Sequence, residues 1–498
     1  MMRLSENIPY QCHDSKGNNR LLYDLWLPML LFGSMGAITW AIRGTSGWGG
    51  IDGTLVPGLM WGMLWYYLCW RRGIDARGVA LWLGLGLALG GELGYGQYVS
   101  WILGRFHAGD EILSVSPWVG YAWFMLCGIG WAAPGGIILG WALHANVSMR
   151  AWLVRCVWTL VLLMVLFNIP LPFLGAGIID WFGERLVAWW PGLLFPNAHL
   201  GLYTGELDKH LVRTVYTNTQ NFAAVLWWLG AMVIASLQQD KATRICGAVI
   251  GGGFGIGFAL SAVWCLGYSY ASSYIDWWKM WELHAGFNLG VLYALAFFLT
   301  TRRLNPAEDR NHAVPVSSPI GLFPAICGFL FIIAASIEYF PWTGRLLGVF
   351  FLLTMSATIF VSKEQVVELR KRISLTYCAF LLVFMLVHGG TSRLGVVFGL
   401  YTPEAVDQYD WPTGRIALFL PAALLLLAAA AIRMVNHFRK NTSPQWLPEH
   451  MVDLCAFTAF IGAVSIWPEK IGILYALFLC FALFALTRLN RRYGEYES

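Results

Sequence analysis

Long apolar runs separated by short polar stretches recur along the whole chain. Runs of about 18 residues or more are long enough to cross a bilayer as a helix, and their repetition argues against buried helices of a soluble core. The pattern predicts fourteen spans, at about 25–42, 54–70, 79–104, 117–143, 152–179, 221–237, 245–271, 278–300, 319–337, 343–362, 373–392, 414–432, 452–468 and 470–488. The last two are so close that "WPEK" has to form a tight turn.

Basic residues supply an independent check. They gather in the loops after even-numbered spans, for example Arg71, Arg72 and Arg77, Arg150 and Arg155, Lys241 and Arg244, and Lys363, Arg370, Lys371 and Arg372. Loops after odd-numbered spans are poorer in them. By the positive-inside rule both termini are therefore expected in the cytoplasm. The expected class is an all-α polytopic protein of the plasma (inner) membrane, with residues 1–24 and 489–498 as cytoplasmic tails.

Composition sharpens this picture. Of 498 residues, 58% are hydrophobic and only 12% charged, and the mean hydropathy is +0.58. A soluble chain carries about 25% charged residues. The net charge of +5 is spread over short loops, so nothing marks a nucleic-acid surface. The ten cysteines form no CxxC pair or Cys/His cluster and read as small buried hydrophobes, which leaves no expected metal or cofactor. The first residues lack the basic, apolar and cleavage-site order of a signal peptide.

Organisation along the chain is uneven. Twenty-three of the 27 tryptophans occur by residue 281, and 42 of the 54 glycines before residue 301. This divides the chain into a Gly/Trp-rich module at 25–300 (spans 1–8, with a long outer loop at about 181–220) and a plainer module at 319–488 (spans 9–14). Residues 301–318, rich in proline and charge, form the linker. Glycines at four-residue spacing, Gly86, Gly90 and Gly94 in span 3, Gly136 and Gly140 in span 4, and Gly247, Gly251 and Gly255 in span 7, predict close helix contacts. Glycines also cluster with polar groups in "IRGTSGWGG" and "GGELGYGQ", where a break beside a ligand is the alternative.

Ionisable residues at membrane depth nominate the site. Glu92 falls near the middle of span 3, where a charge costs about 2.5–3.5 kcal/mol and normally faces protein interior or a wet cavity. Arg43, at the outer end of span 1, is the expected cationic partner, although it could snorkel to the interface or pair with Asp52. Gln97 lies in the outer part of the same span. In span 8, "DWWKMWELHAGFNLG", His284 and Asn288 share a face with Trp277 and Trp281, while Lys279 and Glu282 can pair on another. Asn168 belongs to outer span 5. The plain alternatives are a protonated structural Glu92 and a satisfied structural His284.

Two functions fit. One is a secondary, ion- or proton-coupled transporter of a small polar or anionic solute, with its site between spans 1, 3 and 8. Arg43, Glu92, Gln97, Trp281, His284 and Asn288 would bind the solute, and Glu92 and Glu282 would couple the ion. The other is a membrane-embedded transferase acting at the outer face on a lipid-linked glycosyl or acyl substrate. Expected partners are the bilayer and that solute or lipid-linked substrate, with homo-oligomerisation left open. No GxxxxGK[ST] motif is present, so transport would not be driven by ATP bound to this chain.

Overall fold

The computed structural model describes residues 21–42, 51–72, 79–144, 147–271, 275–301 and 471–494, with scattered positions between 452 and 463. Arg43 and predicted spans 9–12 lie outside these residues, as does about half of span 13. The described chain is helical apart from one short β-hairpin. Seven described helices are long and apolar enough to cross a membrane, which gives an all-α membrane protein.

A π-helical turn, Leu22–Trp26, leads into α1 (Leu27–Ile42), followed by α2 (Ile51–Arg71) and α3 (Val79–Gly90). After α3 the helix stops, and it resumes as α4 (Gly96–Ile102). The hairpin β1 (Arg105–Ala108) and β2 (Glu111–Ser114) pairs Arg105 with Ser114 and connects to α5 (Pro117–Leu143). Next comes α6 (Met149–Leu166). Predicted span 5 runs on to residue 179, but Asn168 takes a left-handed conformation (φ 45°) and Pro170 bridges to Gly177. Two prolines at 170 and 172 cannot continue the ladder, so the helix closes early.

The long outer loop expected at 181–220 is also largely helical. It holds α7 (Ile178–Trp189), α8 (Pro191–Leu194), a 3-10 turn at Ala198–Leu200, and the first part of α9 (Lys209–Leu237). Asp208 starts α9 early by capping it, its carboxylate accepting from His210 N (2.6 Å) and Leu211 N (3.0 Å). Predicted span 7 is a continuous helical run of α10 (Lys241–Cys246), a π-segment (Gly247–Gly252), α11 (Gly253–Ser261) and a 3-10 segment (Ala262–Ser269). Helix α12 (Trp277–Thr301) matches span 8, and α13 (Gly472–Gly494) matches span 14.

Glycine sets the packing, because small residues let backbones touch where lipid supplies no hydrophobic drive. α5, buried along most of its length, lies at the centre. A Cβ on Gly86 would stand 2.7 Å from the Gly135 Cα of α5, and one on Gly90 would overlap the Trp131 carbonyl. Gly136 and Gly140 of α5 press on Cys246 and Thr243, as their spacing predicted. α1 lies along α12 through Gly36, Gly286 and Gly290, each against backbone of the other helix. Leu153, Val157 and Leu160 of α6 and Leu226, Leu229 and Val233 of α9 are exposed, an apolar surface suited to lipid.

One end of the bundle is basic. There Arg72 meets Asp24 (3.4 Å) and donates to Thr301 (2.9 Å), while Arg71 donates to Asn490 (3.2 Å) and Arg492 covers the Tyr23 ring. The start of α1 and the end of α13 therefore meet. At that same end, where α5 runs antiparallel to α3 and finishes, Arg155 of α6 binds Asp240 at 2.7 Å. The hairpin occupies the opposite end.

Candidate functional site

The described polar chemistry of the core centres on the gap between α3 and α4. Four of the seven residues at 90–96 are glycine, a composition that weakens a helix by about 1 kcal/mol per glycine relative to alanine. The last turn tightens through Gly91 N to Ala88 O (3.0 Å) and Leu93 N to Gly90 O (3.2 Å), and Leu93–Tyr95 then runs outside helix. Trp131, close to the middle of the 27-residue α5, and Asn221, close to the middle of the 29-residue α9, both bond to this gap. The interruption is therefore at mid-height. The sequence reading of a continuous span 3 is corrected to two half-helices.

Irregular backbone survives at membrane depth only when protein satisfies its freed groups. Here Trp131 Nε1 donates to Leu93 O (2.8 Å) and Asn221 Nδ2 to Gly94 O (2.9 Å). The Tyr98 hydroxyl accepts from Asn221 Nδ2 (2.9 Å) and donates to Asn218 Oδ1 (2.9 Å), and Asn218 Nδ2 donates to Leu194 O (3.1 Å). Thr217, Asn218, Thr219, Gln220 and Asn221 are all buried on α9. Placing residues 181–220 in an outer loop hid this group. The available signal was the cap at Asp208, which extends the helix through "TNTQN".

Glu92 stands in the turn itself, half-buried, and close enough to Tyr216 of α9 to act on it electrostatically. Gln97 is in the first turn of α4, and neither end of its buried amide has a hydrogen-bond partner among the described residues. Trp281 is fully buried and joins the gap through Tyr95. The Tyr95 ring meets those of Trp131 (5.5 Å), Phe258 (6.1 Å), Trp278 (6.1 Å) and Trp281 (5.2 Å). Glu282 forms a buried ion pair with Lys279, as their spacing predicted, and accepts from Trp278 Nε1 (3.0 Å). That bond fixes a ring packed on Tyr95.

His284 and Asn288 are placed elsewhere. His284 Nδ1 accepts from Trp264 Nε1 (3.1 Å), and Asn288 Nδ2 donates to Gly257 O (3.0 Å). Trp277 stacks on Trp264 at 6.1 Å. These three residues form the seam between α12 and the α11 run, whereas Trp281 turns toward the gap. The deep tryptophans are largely core. Trp40 packs between Trp61 (6.2 Å) and Trp131 (5.4 Å), all fully buried.

Comparisons with known protein families, curated proteins and solved structures gave no match. The class defined by the fold is thus a helical membrane protein with a span interrupted at mid-height beside a carboxyl group. Chemically, such a gap offers backbone carbonyls, neutral amides and one titratable oxygen pair within a non-polar surround.

Proposed function

We propose that this chain is a secondary, ion- or proton-coupled transporter of the plasma membrane that moves a small polar or anionic solute. The basic end is cytoplasmic in this reading, and the solute site adjoins the α3–α4 gap. The observation that carries it is the interruption of span 3 at Gly91–Tyr95 beside Glu92. Broken helices at the membrane midplane are a recurring transporter device, because they present backbone dipoles where a solute or ion can meet them. Glu92 is the coupling group and Gln97 a solute hydrogen-bonding group. Trp281 and Tyr95 form an aromatic wall, and Glu282 steadies it through Trp278. The outer-face transferase is less well supported, since the polar network lies at mid-height and not at the hairpin end.

The test uses proteoliposomes enclosing a pH- or Na⁺-sensitive dye, challenged with a panel of small carboxylates, phosphates and zwitterions. Wild-type protein should give solute-dependent cation movement, and Glu92→Gln should reduce it at least about tenfold, the order of one catalytic-type proton or ion step. Wild-type rates and unchanged pH dependence in Glu92→Gln would remove Glu92 from the mechanism. Turnover of a lipid-linked donor without any gradient would favour the transferase.

A further inference from the structure

We propose that the α3–α4 gap binds a Na⁺ ion, with the side-chain oxygen of Asn221 as one ligand. This rests on the transport reading and names its coupling ion. Asn221 is fully buried at mid-height, and its Nδ2 is committed to Gly94 O and Tyr98, each at 2.9 Å. Its Oδ1 has no hydrogen-bond partner among the described residues. A buried acceptor of this kind is costly to leave empty, most of all where no bulk water reaches it.

The oxygen groups near Asn221 suit a cation, although the Arg213 guanidinium stands 3.3 Å from the Cβ position of Gly96 at the far edge of the gap. α3 directs the C-terminal end of its dipole at the gap, where cations are stabilised. Glu92 follows two residues later. Thr217 lies one turn before Asn221 on α9, and its hydroxyl stands 3.5 Å from the Cβ position of Gly94. Amide, hydroxyl and carbonyl oxygens are hard ligands, which disfavours soft transition metals. Ca²⁺ sites generally gather several carboxylates, and Glu92 is the one carboxylate at residues 90–96. An amide oxygen does not carry a proton at neutral pH, so Asn221 is not itself a proton carrier. Unwound carbonyls and half-helix C-termini are where transporters hold Na⁺.

The test needs neither a known solute nor a gradient. Purified full-length protein is titrated with NaCl, KCl or choline chloride at constant ionic strength, while tryptophan emission and thermal denaturation are recorded. Trp131, bonded to Leu93 O, reports from beside the gap. NaCl alone should give a saturable change in emission and a rise in Tm. Asn221→Leu should weaken half-saturation at least about tenfold, the scale of one lost charge-assisted ligand, whereas Asn221→Asp should keep it. Identical responses to all three salts would overturn the proposal, as would wild-type Na⁺ affinity in a folded Asn221→Leu. If Asn221→Leu does not fold, Thr217→Val should show the same weakening, and wild-type affinity there would count against the site. Na⁺ binding without solute movement would sink the transport reading alone. Solute uptake indifferent to Na⁺ would sink this inference alone.

Discussion

Replacing Asp240 with asparagine should destabilise the protein more than any other single-atom exchange at the basic end. Asp240 is fully buried between α9 and α10. Its Oδ2 lies 2.7 Å from Arg155 Nη2 and accepts from the Thr243 hydroxyl (2.5 Å); its Oδ1 accepts from Thr243 N (2.9 Å) and lies 3.2 Å from His144 Nδ1. Arg155, equally buried, also donates to Gln238 Oε1 (3.1 Å) and His144 O (3.0 Å) and sits over the Trp152 ring at 5.1 Å. Asparagine caps helices as well as aspartate does, so the substitution keeps the cap of α10 and removes the charge. What remains is a buried, uncompensated guanidinium, a situation that costs about 3–5 kcal/mol.

The assay is equilibrium unfolding in mild detergent of wild type, Asp240→Asn, Arg155→Met and the double variant. Removing both charges from a buried pair is often close to neutral, so the double variant should recover much of the loss, with a coupling energy above about 1 kcal/mol. Acidity should report the same group. Burial raises the Asp240 pKa, but the adjacent His144 ring, hydrogen bonds from Thr243 and the Arg155 charge outweigh it and hold the carboxyl below its usual range. A depressed carboxylate pKa contributes stability above the unfolded value of about 3.9, and that stability is lost as pH falls through the folded value. Acid loss should therefore begin below about pH 4 and shrink in Asp240→Asn. Additive single-variant effects, or an Asp240→Asn protein within about 0.5 kcal/mol of wild type, would refute the reasoning.

Two further outcomes follow from the packing. Gly286→Ala would drive a methyl into the Gly36 carbonyl and the Trp40 side chain at the α1–α12 contact. A cost of about 1–3 kcal/mol is expected, and wild-type unfolding would show that the helices separate freely. His284→Ala removes the acceptor of Trp264 and should cost about 1 kcal/mol while leaving solute-dependent cation movement intact. Lost movement in a stable His284→Ala protein would return His284 to the site.

What the sequence disclosed and what it concealed have physical reasons. Apolar length and basic loops identify the membrane class because the bilayer imposes both constraints on every span. Four-residue glycine spacing located the contacts of Gly86, Gly136 and Gly140 because small residues are what close backbone approach requires. The same regularity masks the interruption, which only the clustering of glycine with polar groups in "GGELGYGQ" signals. Gly90 and Gly94 keep the stripe's spacing across a turn that is not helical, and periodicity carries no information on whether the ladder between them is intact. His284 and Asn288 look available because their partners, the Trp264 ring and the Gly257 carbonyl, lie 20 and 31 residues earlier in the preceding helical run. The buried polar run at 217–220 reads as loop because uncharged amides and hydroxyls resemble solvated sequence until a helix cap places them in register.

The interruption and the polar run explain each other. Opening a helix at mid-height frees carbonyls that cost several kcal/mol each in hydrocarbon, and Trp131 and Asn221 are the groups that meet them. A membrane helix with no such duty has little reason to bury five consecutive polar residues, and α9 does so at the height of the gap. The capping is unequal, however. Among the described residues Asn221 donates two bonds through Nδ2 and accepts none through Oδ1, while the Gln97 amide is unmatched at both ends. A purely structural repair of a broken helix would end with its amides paired. Tyr95 is held from the apolar side. Its four ring contacts, each worth about 0.5–1.5 kcal/mol, fix it beside the interruption, and the buried Lys279–Glu282 pair secures Trp278, one of those rings.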